Sequence, residues 1–108
     1  MAKSIEYLPQ DPRVAVWTEL QTARTNGSNS DYWTELFQPL VHAVGHKETV
    51  WARVPDNPDV VLLATLWWTT SELRSFEASP SAQLYYKTLQ REQITRVSTR
   101  EIIYGFAH

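Results

Sequence analysis

The chain contains no cysteine, which removes thiol chemistry, and its arginine, tyrosine, tryptophan and histidine residues are the first candidates for a site. Trp51 and Arg53 stand two apart in Thr49–Val54, a stretch whose apolar residues alternate with others, so both side chains share one strand face. A guanidinium beside an aromatic wall can hold a phenolate, an enolate or a carboxylate. At a strand edge the same arginine can equally form a plain salt bridge. Tyr85 and Tyr86 lie on the inward side of a helical pattern. A hydroxyl there can act as a general acid or fix a substrate oxygen, or it can be tied within the core. Trp67 and Trp68 close an apolar run where a helix begins, and Phe76 follows within that helix. If a pocket lies between sheet and helices, Arg53, Tyr86 and Trp68 are its candidate catalytic groups. Trp51, Trp67, Phe76 and Tyr85 are its candidate substrate contacts. The five Trp and five Tyr of this short chain fit a pocket for flat ligands as well as core packing.

Other chemistries find little to work with. His42 and His46 have the i, i+4 spacing of helical metal ligands, but His42 points away from the apolar stripe and Gly45 ends the helix before His46. A solvated pair is expected, with no metal site. His108 is terminal. There is no Gly-x-Ser-x-Gly elbow and no phosphate loop among only three glycines. A net charge of −2 without a basic run lacks the footprint of a nucleic-acid binder. The longest apolar stretch, Val60–Trp68, is far too short to span a bilayer, and the start of the chain has no apolar run of signal-peptide type. The sequence therefore predicts a soluble cytoplasmic protein with no nucleic-acid or membrane partner.

The elements that must position these residues follow from periodicity and punctuation. Met1–Arg13, with Pro9 and Pro12, reads as an extended arm, and residues 14–108 as a single domain. Val14–Gln21 alternates as a first strand. Turn residues fill Thr25–Ser30, and Ser30 or Asp31 can cap a helix carrying Trp33, Leu36, Phe37, Leu40, Val41 and Val44 at helical spacing. Pro39 predicts a kink or break near Gln38, and Gly45 a stop. Thr49–Val54 is the second strand, Pro55–Asp59 a turn, and Val60–Trp68 the third strand. Thr70 or Ser71 opens a second helical region that restarts at Ser79-Pro80, serine as cap and proline at the first helical position. Ile94–Phe106 is the last strand. On it Arg96, Ser98, Arg100 and Tyr104 are expected to share one face, with the arginines solvated or paired to Glu92 or Glu101.

The order β-α-β-β-α-β predicts a ferredoxin-like α+β protomer: a four-stranded antiparallel sheet with its helices on one face. Val60–Trp68 is apolar on both faces, so something must cover the open side of the sheet. A second copy is the simplest cover, since two-fold homodimers are the commonest soluble oligomers.

The segment Val60–Ser81, VVLLATLWWTTSELRSFEASPS, resembles the third strand and second helix of antibiotic-biosynthesis-monooxygenase domains. An apolar strand ends in Trp, a Ser- and Glu-containing helix start follows, and a small-residue-Pro break comes about ten residues on. The resemblance implies a dimeric α+β barrel with a pocket between helices and sheet for polycyclic aromatic polyketides. Some relatives oxygenate phenols with neither metal nor flavin, and others bind haem through a helical histidine. Phe76 occupies the place often taken by that histidine, and Ala64 the place where oxygenating relatives carry a side-chain amide. The expectation is thus a cofactor-free monooxygenase for an aromatic or polyketide-derived intermediate. A non-redox cyclase, isomerase or lyase using the same pocket, and a binding dimer without turnover, remain as alternatives.

Overall fold

The computed structural model describes residues 13–22 and 30–104. The expected arm up to residue 12, the turn over residues 25–29 and the last strand beyond residue 104 lie outside the described residues. Four strands, β1 (Val14–Thr22), β2 (His46–Val54), β3 (Asn57–Trp67) and β4 (Ile94–Ile103), alternate with two pairs of helices. Between β1 and β2 lie α1 (Ser30–Leu36) and α2 (Gln38–Val41). Between β3 and β4 lie α3 (Thr70–Glu77) and α4 (Pro80–Arg91). The sheet order is β2-β3-β1-β4 with every neighbouring pair antiparallel, which is the ferredoxin-like arrangement.

Local chemistry explains the breaks. Pro39 lacks the N–H an uninterrupted helix would need, so the first helical region divides at Phe37. Thr69 caps α3 by accepting the Glu72 N–H at 3.1 Å. Ser79 caps α4 by accepting from Ala82 at 3.2 Å, with Pro80 at the first helical position. Gly45 has φ 87, and a Cβ there would collide with Glu72, so only glycine lets this turn pass under α3. The hairpin turn is shorter than expected: only Pro55 and Asp56 are turn, and Asn57, Pro58 and Asp59 already belong to β3. Proline is tolerated there because β1 pairs with β3 only from Val60 onward, which leaves this end of β3 locally an edge.

Alternation assigns the faces. Val14, Leu20, Val61, Leu63 and Trp67 turn toward the helices and build the core with Trp33, Phe37, Leu73, Phe76, Tyr85 and Leu89. The opposite face of the sheet carries Trp17, Val50, Leu62 and Ile102, all of them exposed. Val60 and Ala64 on that face are buried even in one chain, consistent with the apolar character of β3 on both sides.

His46, at the start of β2, packs edge-on against Trp67 with centroids 5.8 Å apart, and its Nε2 meets Thr49 Oγ1. Burial pushes its pKa below the ordinary 6.5, against the smaller upward pull of Glu48. The unfolded chain therefore binds this proton more tightly than the folded one, and stability present above pH 6.5 is lost as pH falls through the folded pKa. Urea midpoints measured between pH 7.5 and 5.5 should fall in wild type and stay nearly level in His46→Gln. Equal slopes would show that His46 does not carry the effect.

Candidate functional site

The helices divide the sheet between them. The first pair covers β2 and its side, where Trp33 of α1 lies 6.3 Å from Trp51 of β2. The second pair covers β3, β1 and β4, and between it and the sheet is a cleft of about 60 Å³. Trp67, Phe76, Tyr85, Tyr86 and Arg96 are among its walls, and Thr18, Thr65 and Thr99 supply hydroxyls from three strands.

Arg96, itself exposed, is the charged group at the solvent edge of this cleft. Its guanidinium lies 4.1 Å from the centroid of the Tyr86 ring, a cation–π contact. The carboxylates expected to pair with it are engaged elsewhere. Glu101 takes a two-armed bond from Arg74, at 2.8 Å on one arm. Glu92 accepts the Tyr32 hydroxyl at 2.7 Å and faces Arg91. Among the described residues no carboxylate pairs with Arg96. Glu77 lines the cleft and is bound to Arg74 at 2.7 Å.

A β-bulge puts Arg96 there. Ser98 pairs with Glu19 and Arg96 with Leu20, so Val97 is an extra residue and the side-chain alternation inverts across it. Arg96 consequently faces the helices beside Leu20, whereas Ser98 and Arg100 share the open face with Glu19 and Trp17. The expectation that Arg96, Ser98 and Arg100 share a face is corrected by this bulge.

Tyr85 is buried on α4, 5.6 Å from Tyr86 between ring centroids, and its hydroxyl makes no hydrogen bond to any described residue. Burial pushes its pKa far up; the nearby Arg96 charge pulls the other way and does not offset it. The phenol thus keeps its proton throughout the neutral range and can only donate that hydrogen bond or accept one. Trp67, fully buried, donates its indole N–H to Thr65 Oγ1 at 3.0 Å and stacks at a tilt on Phe76, centroids 5.3 Å apart. The cleft therefore offers an aromatic floor, an exposed cation at its edge and one undissociated phenol, a set suited to a planar molecule bearing an anionic oxygen.

The structure brings Trp67, Phe76, Tyr85 and Tyr86 together and leaves three candidates outside. Arg53 faces the helix side of β2, but β2 is the edge strand, and its Nη2 donates to the Pro58 carbonyl at 3.3 Å near the hairpin. Trp51 is on the same edge strand, packed toward Trp33. Trp68 is 47% exposed and lies beneath two cations, Lys47 at 5.0 Å and Arg13 at 5.7 Å from its ring. With Trp67 turned inward, its neighbour must turn outward. His42 is exposed at the end of α2, and no cluster of three or more potential metal ligands occurs among the described residues.

Solved structures with this architecture are many, and several share one name. A protein from Chloroflexus aurantiacus, provisionally called an antibiotic biosynthesis monooxygenase, superposes with a TM-score of 0.68 at 16% identity, over 89% of this chain and 96% of its own. SnoaB from Streptomyces nogalater, a cofactor-independent oxygenase, gives 0.69 at 10% identity over 90% and 95%. A Bordetella bronchiseptica protein with the same provisional name as the first gives 0.71 at 11% over 88% and 99%. The fold is that of antibiotic biosynthesis monooxygenases. No family model matches the sequence, and no curated protein does. The antibiotic biosynthesis monooxygenase likeness therefore rests on the arrangement of strands and helices, and the chemistry rests on the side chains described above.

The sequence placed Arg53 beside Trp51 and left Arg96 solvated or ion-paired; in the structure Arg96, not Arg53, stands beside Tyr86. Arg53 stands two residues from Trp51 whereas Arg96 has no aromatic neighbour in the chain, and its approach to Tyr86 requires the strand order and the bulge, both non-local. The one usable signal was relative: the last strand of a ferredoxin-like sheet lies under the second helical region, where Tyr85 and Tyr86 already pointed inward.

Proposed function

We propose that this chain is a cofactor-independent oxygenase acting on a flat phenolic or enolic intermediate of aromatic polyketide type, working as a cytoplasmic homodimer. The observation carrying this reading is Arg96, free of carboxylate partners among the described residues and stacked on Tyr86 beside the undissociated Tyr85 phenol. Such a pair stabilises a substrate oxyanion, the guanidinium by charge and the phenol by hydrogen bonding. The electron-rich carbanion form of the substrate then reduces dioxygen itself. In balance, one ring methylene and one dioxygen give one ring carbonyl and one water. The carbon gives up four electrons, one oxygen atom enters the new carbonyl, and the other leaves as water with both methylene hydrogens. Binding by indole quenching, followed by oxygen uptake with an anthrone, tests the reading.

A second reading has its own observation. The residues lining the cleft include no side-chain amide, and Ala64 faces away from the helices. Proton transfer and positioning alone suffice for a non-redox cyclisation or isomerisation, and turnover without oxygen would favour it.

The dimer covers the face bearing Trp17, Val50, Leu62 and Ile102. Sedimentation at micromolar concentration should give about twice the chain mass. Leu62→Lys, a substitution on a side chain 38% exposed in the single chain, should shift the protein to monomer without unfolding it. A wild-type monomer would overturn the dimeric arrangement.

A further inference from the structure

The cleft is too small to enclose the ligand its walls suit. Ligand sites usually measure roughly 300–1,000 Å³, and the cleft offers about 60 Å³. A second, open groove of about 440 Å³ adjoins it where α4 gives way to β4, and Tyr86 and Arg96 are walls of both spaces. Gln90, Gln93, Ile94 and Thr95 form much of the rest of this outer groove. Gln93 lies in the turn between α4 and β4 with φ 60, the one non-glycine residue at positive φ among the described residues. It follows the cap residue Glu92, and its N–H bonds to the Gln90 carbonyl at 3.1 Å, at a helix end where glycine is the usual choice. Holding a side chain in this left-handed region costs backbone energy, and such residues collect at binding sites.

We propose that only the oxygen-bearing edge of the ligand enters the cleft, and that its ring system lies outward across Tyr86 and Arg96. An uncharged arm on that ring system, bearing hydroxyls or amides, occupies the α4–β4 groove. This rests on the phenolate reading above and adds to it the ligand's direction and the class of its substituent. Arg96 is exposed at the junction of the two spaces, and Tyr85 is a wall of the inner one alone. An oxyanion held between them leaves the remainder of the molecule no enclosed room, so it runs outward. Arg96 is the one charged residue among the described walls of the outer groove, and the oxyanion engages it. An arm there meets the side-chain amides of Gln90 and Gln93 and the Thr95 hydroxyl. Amides both donate and accept, which matches hydroxyls and amides and gives a carboxylate no counter-charge. The same reading accounts for a glutamine at a glycine position: glycine would relax the turn and remove one of the two amides.

Umbelliferone, a flat fused-ring phenol, and its carboxamide bearing a hydroxyethyl arm separate the two parts of the site. Both are measured by equilibrium dialysis at a pH where the phenol is ionised. The arm should tighten binding to wild type by about 2- to 12-fold for each neutral hydrogen bond it makes. Gln93→Gly should lose most of that gain, bind plain umbelliferone as wild type does, and raise the urea midpoint. Opposite signs for stability and binding exclude partial unfolding as the cause. Gln93→Asn, which tolerates the same backbone and keeps a shorter amide, should fall in between. Gln90→Ala should also reduce the gain, and a carboxylate in place of the carboxamide should bring none. The proposal is overturned if the arm gives wild type no gain, if the gain survives both Gln93→Gly and Gln90→Ala, or if the carboxylate gains more. A Gln93→Gly protein less stable than wild type overturns it too, since the side chain is then kept for packing. If neither coumarin binds, the phenolate reading itself falls and takes this proposal with it.

Discussion

Arg96→Met should weaken binding of a planar phenolate by about 10- to 150-fold while leaving the fold intact. A hydrogen bond to a charged group contributes about 1.5–3 kcal/mol, and 1.4 kcal/mol is a factor of ten. Methionine keeps the apolar contact with Tyr86 and removes only the charge and donors. The loss should be confined to ionised ligands, so a methyl ether of the same ring system should bind wild type and variant within about threefold. Tyr85→Phe should show a smaller loss, since its phenol donates a neutral hydrogen bond. Arg53→Ala should change nothing, because Arg53 is on the far edge strand and bonded to Pro58. Fluorescence titration across the ligand's own pKa checks all three. A larger loss in Arg53→Ala than in Arg96→Met would return the site to the β2 edge.

Trp67→Ala carries the largest expected effect on stability. The side chain is fully buried, stacks on Phe76, supports His46 at its edge and bonds to Thr65. Truncation of a buried aromatic to alanine costs about 3–5 kcal/mol, against a total of about 5–15 kcal/mol for a domain. The urea midpoint should therefore fall by roughly a fifth or more, with Trp67→Phe in between because it keeps a ring but leaves the Thr65 hydroxyl without its donor. A midpoint within experimental error of wild type would mean that Trp67 is not a core residue.

How legible these features were in the sequence depended on how local their causes are. The divided helices were readable from Pro39 and Ser79-Pro80, because capping and the missing proline N–H act within one turn. Gly45 was legible as a turn residue, but the helix ends at Val41, sooner than the helical spacing of Val44 implied, and Val44 is exposed. The inward turn of Tyr85 followed from helical period alone. Strand β3 hid its parity: Val60–Trp68 is apolar almost throughout, so nothing in it distinguishes Trp67 inside from Trp68 outside. The early start of β3 was missed because Pro58 signals a turn, and its tolerance depends on where β1 stops pairing. The bulge at Val97 left no mark, as valine is an ordinary strand residue, yet it alone moves Arg96 to the helix side. The separation of Arg53 and Trp51 from the cleft is a property of strand order, which places β2 at the edge. The resemblance of Val60–Ser81 to antibiotic biosynthesis monooxygenase domains pointed to the fold that the solved neighbours share.

The most direct test of the central claim is oxygen consumption by chelator-treated protein given an anthrone, with product carbonyl measured in the same vessel. One dioxygen should be consumed per carbonyl formed, at a rate about 10- to 150-fold lower in Arg96→Met, in line with the charged hydrogen bonds lost. Turnover that proceeds equally without oxygen, or consumption indifferent to Arg96, would contradict it.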